Sequence, residues 1–202
     1  MMIKIYANES EKVTFYLFGF VSKRYICTKI LMMETCYVLF GSNMGDKNQI
    51  FAQACQLINN RCGRVVRFSV AYESEPWGFE ADEWFLNRVI VLETKLDPEH
   101  LLLELLEIER ELGRVRHPEH SGYCSRMADL DILYYGDRII NSIMLTVPHP
   151  RLHLRRFALV PLCEIAPEFV HPVLQMTQVR LLQQCPDDSV VRIMNTENKE
   201  TI

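Results

Sequence analysis

Two aspartates, two residues apart in the stretch Met127-Ala-Asp-Leu-Asp-Ile-Leu-Tyr-Tyr135, are the side chains of this sequence best suited to chemistry. Strand alternation puts Asp129 and Asp131 on one face with Leu133, while Ala128, Leu130 and Ile132 pack behind. Two carboxylates so placed can share one or two hard cations, and magnesium suits a few carboxylates combined with substrate phosphates. A solvated strand edge is the other home for such a pair. Aspartate is depleted in strands, however, so two in one strand ask for a reason such as a cation. The chemistry implied is phosphoryl-type transfer from a nucleotide.

Cations bracket the pair. Arg114, Arg116, His117, His120 and Arg126 precede it, and His149, Arg151, Arg155 and Arg156 follow a Pro-His-Pro turn. A run of charge is usually a solvated surface. Here the same run has the composition needed to clamp a polyphosphate around its metal. Glu109 is a further candidate. In a helix wound from Pro98, Leu101, Leu105, Ile108 and Leu112 form the core stripe, and Glu109 falls inside the apolar arc. A carboxylate there needs a partner; a buried ion pair and a ligand-binding carboxylate both answer that need. Asn87, in Phe85-Leu-Asn-Arg-Val-Ile-Val91, shares a core face with Phe85, Val89 and Val91. Its amide offers a donor and an acceptor in one plane, fit for the edge of a heterocycle or for the backbone. Phe85, Trp77 and Phe157 can supply stacking surface.

These residues need a scaffold, and the pattern supplies one. Cys36–Phe40 is a short apolar strand leading to a turn at Gly41–Gly45. That turn could cradle an anion but reads better as a plain strand-to-helix connection. Asp46 caps a helix to about Asn60, with Ile50, Ala54, Leu57 and Ile58 inward. Arg64–Tyr72 alternates, Val66, Phe68, Val70 and Tyr72 facing one way and Arg67 and Ser69 the other. A third strand covers about Phe85–Glu93. Asp97-Pro98 opens a helix that ends at Gly113, and a fourth strand covers Asp129–Tyr135. Thr146–Pro150 makes a rigid loop, a helix runs through Arg156 to about Ile165, and a short helix and a last strand at Ser189–Ile193 follow. Strand, helix, strand, strand, helix, strand is the α+β order of a ferredoxin-like sandwich, an antiparallel sheet with helices on one face.

The 202 residues, 49% of them hydrophobic, suffice for one well-buried domain. A net charge of −4 argues against a general nucleic-acid binder. Seven cysteines, odd in number and without a Cys-x-x-Cys pair, indicate neither a disulfide framework nor a zinc knuckle. The Val13–Val21 run is too short to span a bilayer and lacks a clean cleavage site, so the reading is a cytoplasmic protein without membrane attachment. Residues 1–34 carry no clear period. They read as an over-extended start before Met32-Met33, in preference to an added strand or targeting arm, and 35–202 as the catalytic domain. No Gly-x-x-x-x-Gly-Lys-Ser/Thr loop is present, which excludes a P-loop nucleotide site.

In this order, several stretches resemble the 6-hydroxymethyl-7,8-dihydropterin pyrophosphokinase family of the folate pathway. They are Phe40–Asp46, Phe85-Leu-Asn87, Glu109-Arg-Glu-Leu-Gly-Arg-Val-Arg116, Arg126-Met-Ala-Asp-Leu-Asp-Ile132, Leu145–Pro150 and Arg155–Pro167. The resemblance implies a ferredoxin-like fold and transfer of diphosphate from ATP to the pterin hydroxymethyl group, releasing AMP. By that likeness Asp129 and Asp131 bind two magnesium ions, and Arg114, Arg116 and Arg126 join them as catalytic residues gripping phosphate. Glu109, Ile132, Thr146, His149 and Arg155, with Arg116 and Arg126, would contact ATP. Ser74, Pro76, Trp77, Phe85 and Asn87 would contact the pterin, with Tyr123 and Phe157 sandwiching its ring. The implied partners are ATP and the reduced pterin alone, with no nucleic acid, and the chain would act as a monomer. Tyr123 stands where the family often has Trp, the loop before it is longer, and Ser74-Glu75 replaces Thr-Pro. The rival readings are a metal-dependent sugar-nucleotide transferase, where Asp-x-Asp also recurs, and a non-enzymatic module binding RNA or protein. The second requires exposed aromatics on an open sheet face.

Overall fold

The first strand is nearly continuous in apolar residues because both of its faces are covered. The computed structural model describes residues 33–78, 83–114 and 125–194. Glu34–Ser42 forms β1, whose Cys36, Val38 and Phe40 enter one apolar cluster while Tyr37 and Leu39 enter another. Asp46 then caps α1, Lys47–Arg61, by accepting the Gln49 N–H at 3.1 Å, and Ile50, Phe51, Ala54 and Ile58 are its buried residues. β2 is Arg64–Phe68, β3 is Tyr72–Ser74 and β4 is Phe85–Thr94. Asp97 caps α2, Pro98–Glu111, and β5 is Asp129–Tyr135. A small ribbon follows, β6 at Ile140–Asn141 and β7 at Thr146–Val147. A 3-10 turn at Leu152–Leu154 leads into α3, Arg156–Ile165. The described chain closes with α4, Gln178–Gln183, and β8, Val191–Ile193.

The sheet order is β5-β1-β4-β3-β8, with β2 also on β4 and every pair antiparallel. β1 in the middle is what sets the site: Gly41 lies opposite Asn87 of β4 on one side and Asp129 of β5 on the other. This is the ferredoxin-like order expected, and its class is α+β. One expectation about its layers is overturned. Helices cover both faces, with α1 and α2 over Val38, Phe40, Leu86 and Ile90, and α3 and α4 over Tyr37, Leu39, Val89, Val91 and Tyr134. The reason is the same double-sided apolar pattern of the central strands. Each buried Leu or Ile contributes about 1.5–3 kcal/mol, so an open apolar face would be costly. The covering also removes the open sheet that an RNA-binding module needs.

Two local expectations are corrected. Val66, Phe68 and Val70 are exposed, and Ser69 is fully buried, the reverse of the facing read from alternation. A register shift between Val65 and Arg67 marks a bulge that sets Phe68 opposite Ile90, where its ring meets Phe51 at 5.2 Å while staying half exposed. The Ser69 hydroxyl then accepts the Val89 N–H at 3.0 Å, and the Ser69 carbonyl takes the Arg88 guanidinium at 2.6 Å. That guanidinium sits over the Phe51 and Phe68 rings. Gly41 belongs to β1 instead of a turn; a Cβ there would meet Asn87 and Asp129 at ordinary contact distances of 3.7 and 3.8 Å. In β5, a bulge opposite Tyr37 and Val38 leaves Leu133 the extra residue, so Leu133 and Tyr134 enter the same cluster. The facing read for Asp129 and Asp131 lies ahead of that bulge and stands.

Candidate active site

The cleft opens where β1, β4 and β5 reach their ends at one edge of the sheet. Leu39 and Gly41 form its floor, Asp129 and Asp131 one side, and Ser74, Phe85 and Asn87 the other. Asp129 is held from two directions. Arg114 donates to its Oδ1, and Arg126 Nη1 donates to its Oδ2 at 2.7 Å. Behind it, Glu109 is 2% exposed, and its Oε1 accepts from Arg114 at 2.6 Å and from the Leu130 N–H at 2.8 Å. The inward-facing glutamate thus makes a buried ion pair that braces Arg114. It stands behind the cleft wall, outside the side chains that line the opening.

Asp131 differs from its neighbour. Its nearest basic side chains among the described residues are Arg155, with Nη1 at 3.5 Å, and His149, with Nε2 at 4.0 Å. Burial, and next the charge of Asp129, push the Asp131 carboxyl up to about 7, against the pull of Arg155. His149 moves the other way. Burial and then the Arg155 charge lower it to about 4, which leaves a neutral imidazole near pH 7. Among the described residues, Arg126 Nε is buried without a hydrogen-bond partner. A buried guanidinium N–H in that state is an opening for an anionic ligand.

The opposite wall is mainly an amide and aromatic rings, with the exposed Glu75 beside them. Asn87, 2% exposed, donates from Nδ2 to Ser74 Oγ at 2.9 Å, which fixes the plane of its amide. The Trp77 and Phe157 ring centroids are 6.4 Å apart, and the Arg155 guanidinium lies over both, 5.3 and 5.7 Å away. Arg126 lies 5.7 Å over Phe85. Charges stacked on ring faces keep the arginines extended toward the cleft.

The structure thus brings together Ser74, Trp77, Phe85, Asn87, Arg114, Arg126, Asp129, Asp131, His149, Arg155 and Phe157 of the residues read from sequence. Pro76 is half-buried beside them. Ile132 is buried in the α1–α2 cluster, and Thr146 lies on β7 at a neighbouring recess shared with His149. Arg116 and Tyr123 lie outside the described residues. Sequence reading missed Leu39, Gly41, Glu75 and Asn43. Asn43 ties down the segment before β5: Oδ1 accepts the Arg126 N–H at 2.8 Å, and Nδ2 donates to Ser125 at 2.9 Å. A polar residue directly after an apolar strand was its signal. Among the described residues no three His, Cys, Asp or Glu side chains gather as a self-sufficient metal cage. Nor is any helix among them long and apolar enough to cross a membrane.

Fold and cleft together define an α+β enzyme of the phosphoryl-transfer kind, with paired carboxylates set among arginines. A family model described as 7,8-dihydro-6-hydroxymethylpterin-pyrophosphokinase matches residues 37–167, and the chain belongs to that family. The chain is 38% identical over 141 residues to the 2-amino-4-hydroxy-6-hydroxymethyldihydropteridine pyrophosphokinase of Porphyromonas gingivalis, covering 69% of this chain and 95% of that one. It is 37% identical over 161 residues to the folic acid synthesis protein fol1 of Pneumocystis carinii, covering 80% of this chain but only 21% of the longer relative. The HPPK-DHPS of Plasmodium falciparum superposes with a TM-score of 0.64 at 16% identity, over 78% of this chain and 45% of that one. At that identity the likeness concerns the fold. The sugar-nucleotide and RNA-binding readings fall away.

Proposed function

We propose that the cleft joins ATP to 6-hydroxymethyl-7,8-dihydropterin across Asp129 and Asp131, with phosphates on the arginine side and the pterin on the Asn87 side. The reaction itself follows from family membership: diphosphate passes from ATP, the co-substrate, to the pterin hydroxymethyl group, in folate biosynthesis. The observation carrying the placement is the asymmetry of the cleft. One wall presents Arg114, Arg126, His149 and Arg155 around two carboxylates, and the other presents an amide and rings.

Magnesium fits the donors. Two carboxylates without a third ligand match an ion that keeps its remaining positions for water and phosphate. Burial, and next the charge of Asp129, raise Asp131, and a cation held by the two carboxylates would offset that. Asp129 and Asp131 would hold it, in the two-ion arrangement implied by the family likeness. Asp129 and Asp131 would so place the ion that it would supply charge neutralisation to phosphate and lower the pKa of a coordinated hydroxyl. The protein's own residues position and exclude. Arg126 and Arg114 orient phosphate oxygens, and Arg155 adds charge where negative charge accumulates. Arg116, on the segment beyond Arg114, joins them in this reading. Neutral His149 donates or accepts a hydrogen bond without adding a charge. Asn87 reads the pterin edge in a plane fixed by Ser74, and Phe157 and Trp77 flank the ring, with Tyr123 as its further cover. Holding the two substrates in line supplies most of what diphosphate transfer asks of a protein.

The five cysteines among the described residues are free thiols, and burial raises Cys36 and Cys62 well above the ordinary thiol range. That supports a reducing cytoplasm as the setting. In this reading residues 35–202 act as the catalytic domain, and the chain works as a monomer, as the family likeness implies. The test is product identification with ATP, Mg2+ and 6-hydroxymethyl-7,8-dihydropterin. AMP and the pterin diphosphate in equal amounts are expected; ADP, or no turnover, refutes the assignment.

A further inference from the structure

The start of α3 carries a conflict between function and helix chemistry. Its cap position is Arg155 and its first residue Arg156; no side chain of its own caps it, and its first turn holds no acid. Two cations there face the positive end of the helix dipole, the unfavourable arrangement. Arg155 is drawn to Asp131 at 3.5 Å. The Arg156 N–H is taken by Asp187, whose Oδ2 accepts it at 2.8 Å from 31 residues further along the chain. Asp187 Oδ1 accepts the Ser189 N–H at 3.1 Å, so one half-buried carboxylate ties α3 to the turn that enters β8.

β8 in turn grips the opposite wall. It pairs with β3, Ser74 against Val191 and Glu73 against Arg192. Arg192 also reaches Glu73 at 3.2 Å and lies 4.3 Å over the Trp84 ring. β3 runs directly into Ser74–Trp77, and α3 begins with Arg156 and Phe157. The Trp77–Phe157 spacing of 6.4 Å is thus bridged from behind by the segment 187–193. That segment lies past the family match, which stops at residue 167.

We propose that Asp187 is a positioning residue for the pterin wall, holding the start of α3 so that Phe157 and Arg155 stand at a set distance from Trp77. The substrate named rests on the functional reading above; the geometry does not. Asp187→Ala raises the KM for the pterin by about three- to thirtyfold, the size of a lost helix cap. The KM for ATP and kcat move less than the pterin KM, since Asp129, Asp131, Arg114 and Arg126 are held by other elements and only Arg155 is shared. Asp187→Asn, which keeps a capping oxygen, restores the pterin KM to near wild type. A second readout needs no substrate. In a Trp84→Phe background, acrylamide quenching of Trp77 fluorescence rises on Asp187→Ala and returns with Asp187→Asn. Were wild type to make no AMP while this quenching pattern held, the substrate reading would fail and the positioning role stand. Unchanged pterin KM and unchanged quenching in Asp187→Ala overturn the proposal. So does a fall in kcat with both KM values unmoved, the mark of a merely less folded protein.

Discussion

The two ends of the cleft are built on opposite plans. The charged end comes mainly from two stretches close in sequence, Glu109–Arg114 and Arg126–Asp131, locked by ion pairs that reach the buried Glu109, with His149 and Arg155 added from further along the chain. The aromatic end comes from β3, β4, α3 and the segment behind them. It is held by neutral hydrogen bonds, ring contacts and a helix cap supplied from far along the chain. The charged end concentrates electrostatic free energy where charge must be neutralised; the aromatic end supplies shape. Damage to the first should therefore appear in turnover and stability, and damage to the second in the affinity for one substrate.

The largest effect belongs to the carboxylates. Asp131→Ala and Asp129→Ala should each lower turnover by about 10²- to 10³-fold or more while circular dichroism shows the fold retained; near-normal rates would remove their metal role. Next is Glu109→Leu. It removes one acid from a buried ion pair whose Arg114 keeps Asp129 as a partner, so the loss should sit near the lower end for such pairs, about 2–3 kcal/mol in urea unfolding. A change below about 0.5 kcal/mol would show that the brace is dispensable. At the aromatic end, Asn87→Ala should raise the pterin KM by roughly ten- to a hundredfold, the cost of an unmet hydrogen bond at a polar edge. Equal rises for ATP and pterin would break the division between the two ends.

The smallest effect concerns His149. Its folded value, about 4, lies below the ordinary 6.5, so the unfolded chain binds the extra proton as pH falls between those values. Stability tied to His149 is present above pH 6.5 and is lost on acidification. Asp131, raised to about 7, has the opposite slope and is common to both proteins when wild type is compared with His149→Gln. Between pH 7 and 5, wild type should lose more stability than the variant, by on the order of 1 kcal/mol. An equal loss would show that His149 is charged in the folded protein.

The charged end was legible in the sequence because its residues are close together and chemically unusual: paired aspartates in a strand and a glutamate in an apolar arc. Element order was legible for the same kind of reason, through Asp46, Asp97 and Pro98 at helix starts and apolar runs in β1 and β4. The burial of Val66, Phe68 and Ser69 was not, since a period-two pattern tells which residues share a face but not which face the rest of the chain covers. The second helical layer was hidden because a strand apolar on both faces does not say how many helices cover it. Asp187 could not be found either. A cap is recognisable beside its helix, and this one arrives from the other side of α3.

The division between the two ends rests on where the divalent ion sits, and counting it is the most direct test. Equilibrium dialysis with Mn2+ as the probe, run with a non-hydrolysable ATP analogue, should show bound metal in wild type and in Asn87→Ala alike. The same measurement on Asp131→Ala should show at least one ion fewer per chain. Equal metal content in wild type and Asp131→Ala would contradict the placement of metal between the aspartates, whatever the rates of the variants.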